Sequence, residues 1–454
     1  MERYELPDGW EWKTLGECCD VNRRDPALKN ISDDTMVSFV PMAAVDADQG
    51  VIAKPVDRPF SEVRKGFTPF SNGDVIFAKI TPSMENGKAA IANGLTNGFG
   101  FGSTEFHVMR PKESVIAGWV FLFIRQQSFR DEAKGSFAGT AGQLRVPEKF
   151  ILNTDIPLAP VPEQQRILSK IESLFEQSRA ARTALTRVPV LMAQIRRAVL
   201  ASAFRGELVE PDSNDESAAS LLERIREVRK QSISKKNIEP VDTSDLPELP
   251  EGWIWVRFEE LLAELKNGHF SKTPAFEPPG IPILRISAVR PLSVKLDEPR
   301  FFRGELEDVS QYELRNGDLL FTRYNGSLNL VGVCGLVRSL NEVMIYPDKL
   351  IRARFFENTV SPAYLEAYFS TALPRSIIED KTKSSAGQQG ISGKDLKDVP
   401  VPLPPLGEQQ RIVAKIEALF AQADIIEQAA FVSLRRAEQI NQSILARAFR
   451  GELG

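Results

Sequence analysis

The chain of 454 residues contains the same sequence pattern twice, at a spacing of about 244 residues. Residues 157–177 are identical to residues 402–422 at 14 of 21 positions, and residues 200–208 are identical to 445–453 at 8 of 9. A repeat this long is a domain-sized unit and not one turn of a solenoid. We therefore expect two equivalent halves in a pseudo-two-fold arrangement. Shorter motifs return in the same order, namely Leu-Pro-x-Gly-Trp at 6 and 249, and Asn-Gly-Asp at 72 and 316.

Each half reads as a β-rich part followed by a long helix. Short alternating runs such as residues 74–80, 105–109 and 350–355 are separated by Gly, Asn and Pro, which is typical of strands. Each helix follows a Pro-rich segment and begins with Glu-Gln-Gln-Arg, at 163 and at 408. The predicted fold class is α+β, with two β-rich domains separated by an antiparallel coiled coil of two long helices and a pseudo-two-fold internal repeat.

The long helices carry apolar residues at alternating spacings of four and three, which predicts the seam of a coiled coil. Pro189 interrupts the first helix and should kink or break it. Ordinary amphipathic helices, each packed on its own core, are the alternative. The predicted seam residues are Ile167, Ile171, Leu174, Leu185 and Ile195 in the first helix, and Ile412, Ile416, Leu419, Ile426, Ile440 and Ile444 in the second.

These patterns predict five segments in the chain. A short helix near residues 216–231 is followed by a linker rich in Pro, Ser and charge. The predicted segments are a β-rich domain at 1–155, a long helix at 156–208, a short helix and linker at 209–246, a second β-rich domain at 247–400, and a second long helix at 401–454.

Composition argues against several classes of protein. The net charge of −4 argues against a protein whose whole surface binds nucleic acid. Apolar residues make up 42% of the chain, as in soluble globular proteins. Three cysteines and two histidines leave little for a metal site or a disulfide framework, so we expect reduced thiols and no metal. The N-terminus is charged, and the longest strongly apolar stretch is too short to span a membrane. We expect a cytoplasmic protein with no membrane contact.

No enzyme motif has its required context. The glycines of residues 98–102 resemble a nucleotide loop, but an alternating strand follows them where a helix is needed. The tryptophan pairs at 10 and 12 and at 253 and 255 favour core packing over base stacking, since both halves carry them. These observations favour a chain without catalytic activity.

The interiors of the β-rich parts differ: residues 23–66 share almost nothing with residues 266–309. A repeated frame with two different surfaces suits DNA, whose backbone repeats while its base sequence changes. Arg can pair with guanine and Asn with adenine, although for any one residue a solvated surface position is the alternative. The side chains predicted to contact DNA are Lys79, Thr81, Lys88, Gln143 and Arg145 in the first half, and Arg285, Ser287, Arg290, Thr322, Arg323, Tyr324, Asn325, Ser327, Lys349 and Gln388 in the second.

At these residues the chain resembles the specificity (S) subunits of type I restriction–modification systems, and is HsdS-like over its full length. The resemblance rests on the Leu-Pro-x-Gly-Trp segments, the Glu-Gln-Gln-Arg-Ile helix starts and the Ala-Phe-Arg-Gly-Glu-Leu helix ends, each present twice. Residues 317–355 resemble the second recognition domains of this family.

The resemblance implies two target recognition domains, each reading one half of an asymmetric bipartite DNA site. It implies that the helices set the gap between the half-sites and dock two methyltransferase (M) subunits. It also implies that this chain has no catalytic residue and no cofactor, because S-adenosylmethionine, ATP and Mg would be bound by the M subunits and the restriction (R) subunits. The expected partners are double-stranded DNA, two M subunits and R subunits. A pseudo-symmetric protein-interaction scaffold without DNA binding is the alternative.

Overall fold

The structure is a computed structural model that describes residues 3–53, 55–139, 144–232, 238–271, 274–385 and 387–453. Contacts divide the chain into two compact units: unit 1 comprises Met1–Arg187 and Ala430–Gly454, and unit 2 comprises Val188–Ala429. Each unit therefore combines one β-rich part with segments from both long helical regions.

Unit 1 consists of short strands, short helices and the first part of the first long helical region. Its strands are β1 (Glu11–Thr14), β2 (Cys19–Val21), β3 (Met36–Val40), β4 (Val56–Pro59), β5 (Thr68–Ser71), β6 (Val75–Ala78), β7 (Ala89–Ile91), β8 (Phe99–Gly102), β9 (Phe106–Pro111) and β10 (Asp155–Leu158). Its helices are α1 (Leu15–Cys18), α2 (Phe60–Val63), α3 (Ala117–Ile124), α4 (Gln127–Gly135), α5 (Glu148–Asn153) and α6 (Val161–Thr186).

Unit 2 begins with the rest of that helical region, namely α7 (Val188–Ala203), and continues with α8 (Ala218–Ser232). The strands of unit 2 are β11 (Ile254–Arg257), β12 (Leu262–Asn267), β13 (Ile281–Ile283), β14 (Val289–Arg290), β15 (Ser293–Val294), β16 (Arg300–Phe302), β17 (Leu319–Thr322), β18 (Tyr324–Asn325), β19 (Cys334–Leu336), β20 (Leu350–Phe355), β21 (Lys383–Ser385), β22 (Gln388–Gly390) and β23 (Pro400–Leu403). Its other helices are α9 (Phe258–Leu261), α10 (Leu306–Val309), α11 (Pro362–Phe369), α12 (Ala372–Lys381) and α13 (Gly393–Lys397), and α14 (Leu406–Phe449) continues into unit 1.

The two units contain an equivalent four-stranded sheet, which we call the frame, and they differ in their additional sheets. Both contain a four-stranded antiparallel sheet, ordered β2-β9-β6-β7 in unit 1 and β12-β20-β17-β19 in unit 2. In unit 1 the further strands form the sheet β4-β3-β8-β5, whereas in unit 2 they form the ribbons β13-β16 and β14-β15. The additional strands include the stretches whose sequences differ most, so the divergence in sequence is also a divergence in structure.

The Asn-Gly-Asp motif makes the same turn in both units. It precedes β6 and β17, and its glycine has a φ of +90° at Gly73 and +94° at Gly317, a region that favours glycine. The aspartate that follows is almost fully buried and accepts two hydrogen bonds from an arginine on the neighbouring strand. The motif therefore fixes a tight turn before the strand and a buried ion pair in each unit.

A tryptophan joins the start of each β-rich part to the start of its helix. Trp10 donates to Glu163 at 3.0 Å, and Trp253 donates to Glu408 at 3.0 Å. Both indoles are buried, because the strands that follow them pair with the strands just before the helices. The predicted core position is confirmed for Trp10 and Trp253, whereas Trp12 and Trp255 are only partly buried. The repeated motifs at residues 6 and 163 therefore contact each other through this hydrogen bond.

The predicted break at Pro189 is also confirmed. Helix α6 ends at Thr186 and α7 begins at Val188, which places Pro189 in the first turn of α7. Proline is tolerated there because the first N–H groups of a helix have no intrahelical acceptor. No proline lies within α14, which runs without interruption over 44 residues.

The end of each long helical region packs on the β-rich part of the other repeat. In unit 2 the Phe204 ring lies 5.2 Å from that of Tyr364 and 5.3 Å from that of Tyr368. In unit 1 the Phe449 ring lies 4.6 Å from that of Trp119, and its carbonyl accepts from Tyr4. The last helical residues of the chain therefore complete the core of unit 1, which contains the N-terminal strands.

Candidate nucleic-acid interface

A small three-stranded sheet in unit 2 brings several predicted residues together. Strand β18 carries Tyr324 and Asn325 and pairs with β22, which carries Gln388 and pairs in turn with β21. Gln388 is exposed, while Tyr324 and Asn325 are partly buried. Residues that lie more than 60 positions apart in the sequence thus form one surface.

Arg323 and Lys349 lie next to this sheet. The Arg323 N–H donates to the Lys349 carbonyl at 2.8 Å, and the Arg323 carbonyl accepts from Ile391, just after β22. The Arg323 guanidinium stacks over the Tyr324 ring, 4.7 Å from its centre. This contact holds the side chain in place and leaves its positive charge unneutralised. Lys349 and Ser327 are exposed. We call this group (Arg323, Tyr324, Asn325, Ser327, Lys349 and Gln388) the β18–β22 surface.

Thr322 does not belong to this surface. It lies on β17 with only 2% of its area exposed, and its N–H donates to the Val333 carbonyl. The prediction of a DNA contact is wrong for this residue, because the central strand of a sheet covered on both faces leaves no access for a ligand.

Arg285, Ser287 and Arg290 lie on a separate segment around β14. Ser287 and Arg290 are exposed, and Arg290 donates to the Val289 carbonyl. Arg285 forms an ion pair with Glu298 at 3.0 Å. These three residues are close in sequence, and no hydrogen bond or ion pair joins them to the β18–β22 surface within the part of the chain that the structure describes.

In unit 1 most predicted contact residues already have intramolecular partners. Arg145 forms a bidentate ion pair with Glu105, at 2.8 Å for both bonds, and this pair lowers the pKa of Glu105. Lys88 donates to the Met42 carbonyl at 2.9 Å, and Thr81 donates to a Glu85 carboxylate oxygen at 2.5 Å. These bonds reduce the availability of the three side chains for DNA.

The backbone around Lys79 and Arg145 nevertheless matches the β18–β22 surface. Ile80 pairs with Arg145 as Tyr324 pairs with Gly390, and Val146 donates to the Lys79 carbonyl. These segments of the two halves therefore correspond in their backbone pairing. Gln143 lies outside the described residues.

No sequence pattern singled out two exposed phenylalanines in unit 2. Phe270 and Phe276 expose 71% and 77% of their area in the segment between β12 and β13. The Arg300 guanidinium lies 3.4 Å from the centre of the Phe276 ring. The only signal in the sequence is the density of Pro and Gly between residues 274 and 280, which predicts a loop but not the exposure of its aromatic side chains.

The long helices pair within each unit, and in unit 2 α7 and α14 run antiparallel. In unit 2 Arg196 of α7 donates to Glu427 of α14 at 3.0 and 2.9 Å, and to Asp424 at 2.5 Å. Further along α7, Leu200 shares a core with Ile416, which lies earlier on α14. In unit 1 the seam residues Ile167 and Ile171 share a core with Leu445, Ala448 and Phe449.

Three predicted seam positions are wrong. Ile195, Ile426 and Ile440 expose 46%, 47% and 52% of their area, while Arg196 and Glu427, the residues after the first two, form the ion pair. An α-helix has 3.6 residues per turn, so a strict 3.5-residue register drifts around its surface. Of the other predicted positions, Ile167, Ile171, Ile412 and Ile416 are buried, and Leu174, Leu185, Leu419 and Ile444 are partly buried.

Among the described residues, no group of His, Cys, Asp and Glu side chains could hold a metal ion. The three cysteines are buried free thiols, and burial raises the pKa of Cys19 to about 12. No described helix is long and apolar enough to cross a membrane.

Comparison with known proteins identifies the family. The family described as "Type I restriction modification DNA specificity domain" matches this chain twice, over residues 7–187 and over residues 250–430. The chain is 32% identical to the specificity subunit of the type I restriction enzyme EcoKI of Escherichia coli K12, over all of this chain and 91% of that one. It is 31% identical to the EcoEI specificity subunit of Escherichia coli, over 93% of this chain and 79% of that one.

A solved structure agrees with these matches. The crystal structure of the HsdS subunit from Thermoanaerobacter tengcongensis superposes with a TM-score of 0.66 at 25% identity, over 99% of this chain and 98% of that one. The α+β class, the internal repeat and the paired helices are the expected features that this comparison supports. The chain therefore belongs to the family of type I restriction–modification specificity subunits, the DNA-recognition components of those systems.

Proposed function

We propose that each β-rich domain of this chain reads one half of an asymmetric bipartite DNA site. The observation that carries the proposal is that the two units have equivalent four-stranded sheets but different additional sheets. A repeating phosphate backbone can be held by equivalent frames, while different base sequences need different contact surfaces. The family matches in both halves support two readers in one chain.

In unit 2 the β18–β22 surface is the proposed contact. Its Arg, Asn and Gln side chains can form the bidentate hydrogen bonds that distinguish base pairs in the major groove. Lys349 supplies a charge suited to a phosphate. Phe270 and Phe276 add exposed rings that could pack against sugar or bases, and Arg300 stacks on the second of them.

In unit 1 the proposal rests on the matching backbone around Lys79 and Arg145, and on the sheet β4-β3-β8-β5, which unit 2 replaces with ribbons. Arg58 stacks over the Phe39 ring at 4.2 Å on that sheet. A different sheet provides a different set of side chains, as a second half-site requires.

The helices are proposed to fix the gap between the half-sites and to dock two methyltransferase subunits. Exposed apolar side chains on α7 and α14, including Val190, Ile195 and Ile425, support a protein partner. A solved chain from a study of "complex assembly" of "the type I R-M system" superposes with a TM-score of 0.65, which agrees with an assembled state. S-adenosylmethionine, ATP and Mg are then bound by the partner subunits, restriction subunits included, and not by this chain.

The test is duplex retention by the purified complex, with base changes placed in one half-site at a time. Exchange of residues 20–140 for the equivalent segment of another specificity subunit should change the recognised sequence in one half only. Changes in both halves would contradict independent readers. A protein-interaction scaffold without DNA binding would show no sequence-dependent retention.

A further inference from the structure

A cavity in unit 1 is lined by four arginines. It has a volume of about 600 Å³, within the range of small-ligand sites. Its walls come from the loop at residues 47–49, from helices α3 and α4, from α6, and from the last turns of α14. Asp48 is the one acidic residue among the described lining residues, and the arginines are Arg125, Arg130, Arg179 and Arg182.

Two of these arginines lie partly buried without a carboxylate partner among the described residues. Arg125 donates to the carbonyls of Ala47 and Asp48, each at 2.9 Å, and Arg130 donates to the Gln127 amide oxygen at 2.5 Å. All three acceptors are uncharged. Burial lowers the pKa of both guanidinium groups, and repulsion from Arg130 lowers the pKa of Arg125 further. Both groups remain cationic in neutral solution, so the cavity concentrates positive charge.

Two buried polar atoms in the same cavity lack a hydrogen-bond partner. They are the Nε of Arg130 and the Oδ1 of Asn441. Buried polar atoms are nearly always bonded in native proteins, so the unpaired Nε–H of Arg130, a donor, points to a bound acceptor. The Oδ1 of Asn441 accepts hydrogen bonds, so an anion would not satisfy it. An anion with several oxygens suits Arg130 best, since its donors form a planar fork.

The equivalent position in unit 2 is built differently. Phe420 on α14 corresponds to Phe175 on α6, and both line a cavity of their own unit. In unit 2 the positions of Arg179 and Arg182 are taken by Asp424 and Glu427, which pair with Arg196. In unit 1 the residue corresponding to Arg196 is the uncharged Asn441. The arginine cluster is therefore specific to unit 1 and is not a property of the shared frame.

We propose that this cavity binds a phosphate group, held by Arg130 and Arg125 on one side and by Arg179 on the other. Guanidinium groups match the planar spacing of phosphate oxygens, and a ligand of this charge offsets the repulsion between the buried arginines. Two copies of one methyltransferase would need equivalent surfaces, so the difference from unit 2 argues against a shared docking site. That last step alone rests on the proposed function.

The test uses the full chain with inorganic phosphate, against potassium chloride at equal ionic strength. Phosphate should raise the unfolding temperature, and calorimetry should give a dissociation constant that Arg130→Gln and Arg179→Gln each weaken by roughly tenfold or more. Arg130→Gln should also raise the unfolding temperature of the chain without phosphate, because it removes a buried, unneutralised charge. Arg197→Gln is the matched control, since Arg197 is an exposed arginine on α7.

Some outcomes identify the molecule that carries the phosphate, and others contradict the proposed site. If the variants also weaken duplex retention by the complex and reduce its salt slope by about one, the group is a DNA backbone phosphate. If they weaken phosphate binding and leave duplex retention unchanged, the group belongs to a free phosphate-bearing ligand. Equal stabilisation of wild type, Arg130→Gln and Arg197→Gln by phosphate would overturn the site. Weakened assembly with methyltransferase alone would also overturn it, in favour of an acidic partner side chain. Phosphate binding to the free chain does not require DNA recognition, so the two proposals fail independently.

Discussion

Arg196 on α7 and Glu427 on α14 face each other with both guanidinium–carboxylate hydrogen bonds formed, at 3.0 and 2.9 Å. Each member of the pair directly follows an isoleucine that the 3.5-residue pattern places in the seam, namely Ile195 and Ile426. A charged pair in an apolar seam favours one register over others, because sliding either helix would leave a charge without its partner.

Reversal of one charge in this pair should destabilise unit 2, and reversal of both should restore part of the loss, because Asp424 would then repel a carboxylate at position 196. We expect a coupling energy of about 1 kcal/mol between Arg196→Glu and Glu427→Arg, as measured by urea unfolding in a double-mutant cycle. Ile195→Ala, on the exposed face, is the control and should have little effect. Strictly additive effects would mean that the pair does not hold the register.

The buried aspartate of each Asn-Gly-Asp turn should be essential to its frame. Asp74 and Asp318 are 1% and 2% exposed, and each accepts two bonds from an arginine, Arg110 and Arg354 respectively. Asp318→Ala leaves a partly buried guanidinium without its partner and should cost about 3 kcal/mol in denaturant unfolding. Asp33→Ala, at the exposed ion pair with Arg64, should cost far less. Similar losses in both variants would contradict the assigned role.

Glu408 should make unit 2 less stable as the pH rises. Burial raises its pKa, and the bond from Trp253 offsets this only in part. A folded pKa above the unfolded value means that the stabilisation is complete below the unfolded pKa and is lost as pH rises through the folded value. The unfolding free energy of wild type, relative to Glu408→Gln, should therefore fall as the pH rises above the pKa of about 4.3 that an unfolded glutamate has. Glu417→Gln, at an exposed carboxyl on the same helix, is the control. A constant or rising difference would contradict the burial of this carboxyl.

The β18–β22 surface should read only one half of the DNA site. Lys349→Ala should weaken retention of all duplexes and reduce the salt slope by about one, because it removes a phosphate contact. Gln388→Ala should relax base preference at one position, at a cost of about 1–3 kcal/mol. Ser287→Ala, outside this surface, is the comparison. If Gln388→Ala changes preference in both half-sites, this surface is not a local reader.

The frame follows from sequence because its contacts are local or repeated. The hydrogen bonds of Trp10 and Trp253, the Asn-Gly-Asp turns and the break at Pro189 each depend on residues that the repeat displays twice or on fixed backbone chemistry. The repeat shows which residues both β-rich parts retain, but it does not show which of those residues contact each other. That Trp10 bonds to Glu163 required the strand pairing that brings them together.

The candidate contact surface was harder to predict because exposure depends on the tertiary neighbours of each residue. Thr322 and Tyr324 are two residues apart, yet the first lies in a covered sheet and the second on a small outer one. Arg145 has no acidic neighbour close in sequence to its N-terminal side, but the fold places Glu105, the residue before β9, beside it, and that carboxylate neutralises its charge. The predicted seam positions at Ile426 and Ile440 are wrong for a different reason. A helix with 3.6 residues per turn rotates gradually away from a strict seven-residue repeat.

We propose that the paired helices fix the separation of two different DNA readers. The most direct measurement is retention of duplexes with varied gaps by a complex whose helices are lengthened together. One heptad is inserted before Arg196 in α7 and one after Glu427 in α14, which keeps that pair in register and adds about 10 Å. We expect that the original gap is no longer preferred, and that any retained preference moves by about three base pairs. An unchanged gap preference would contradict it.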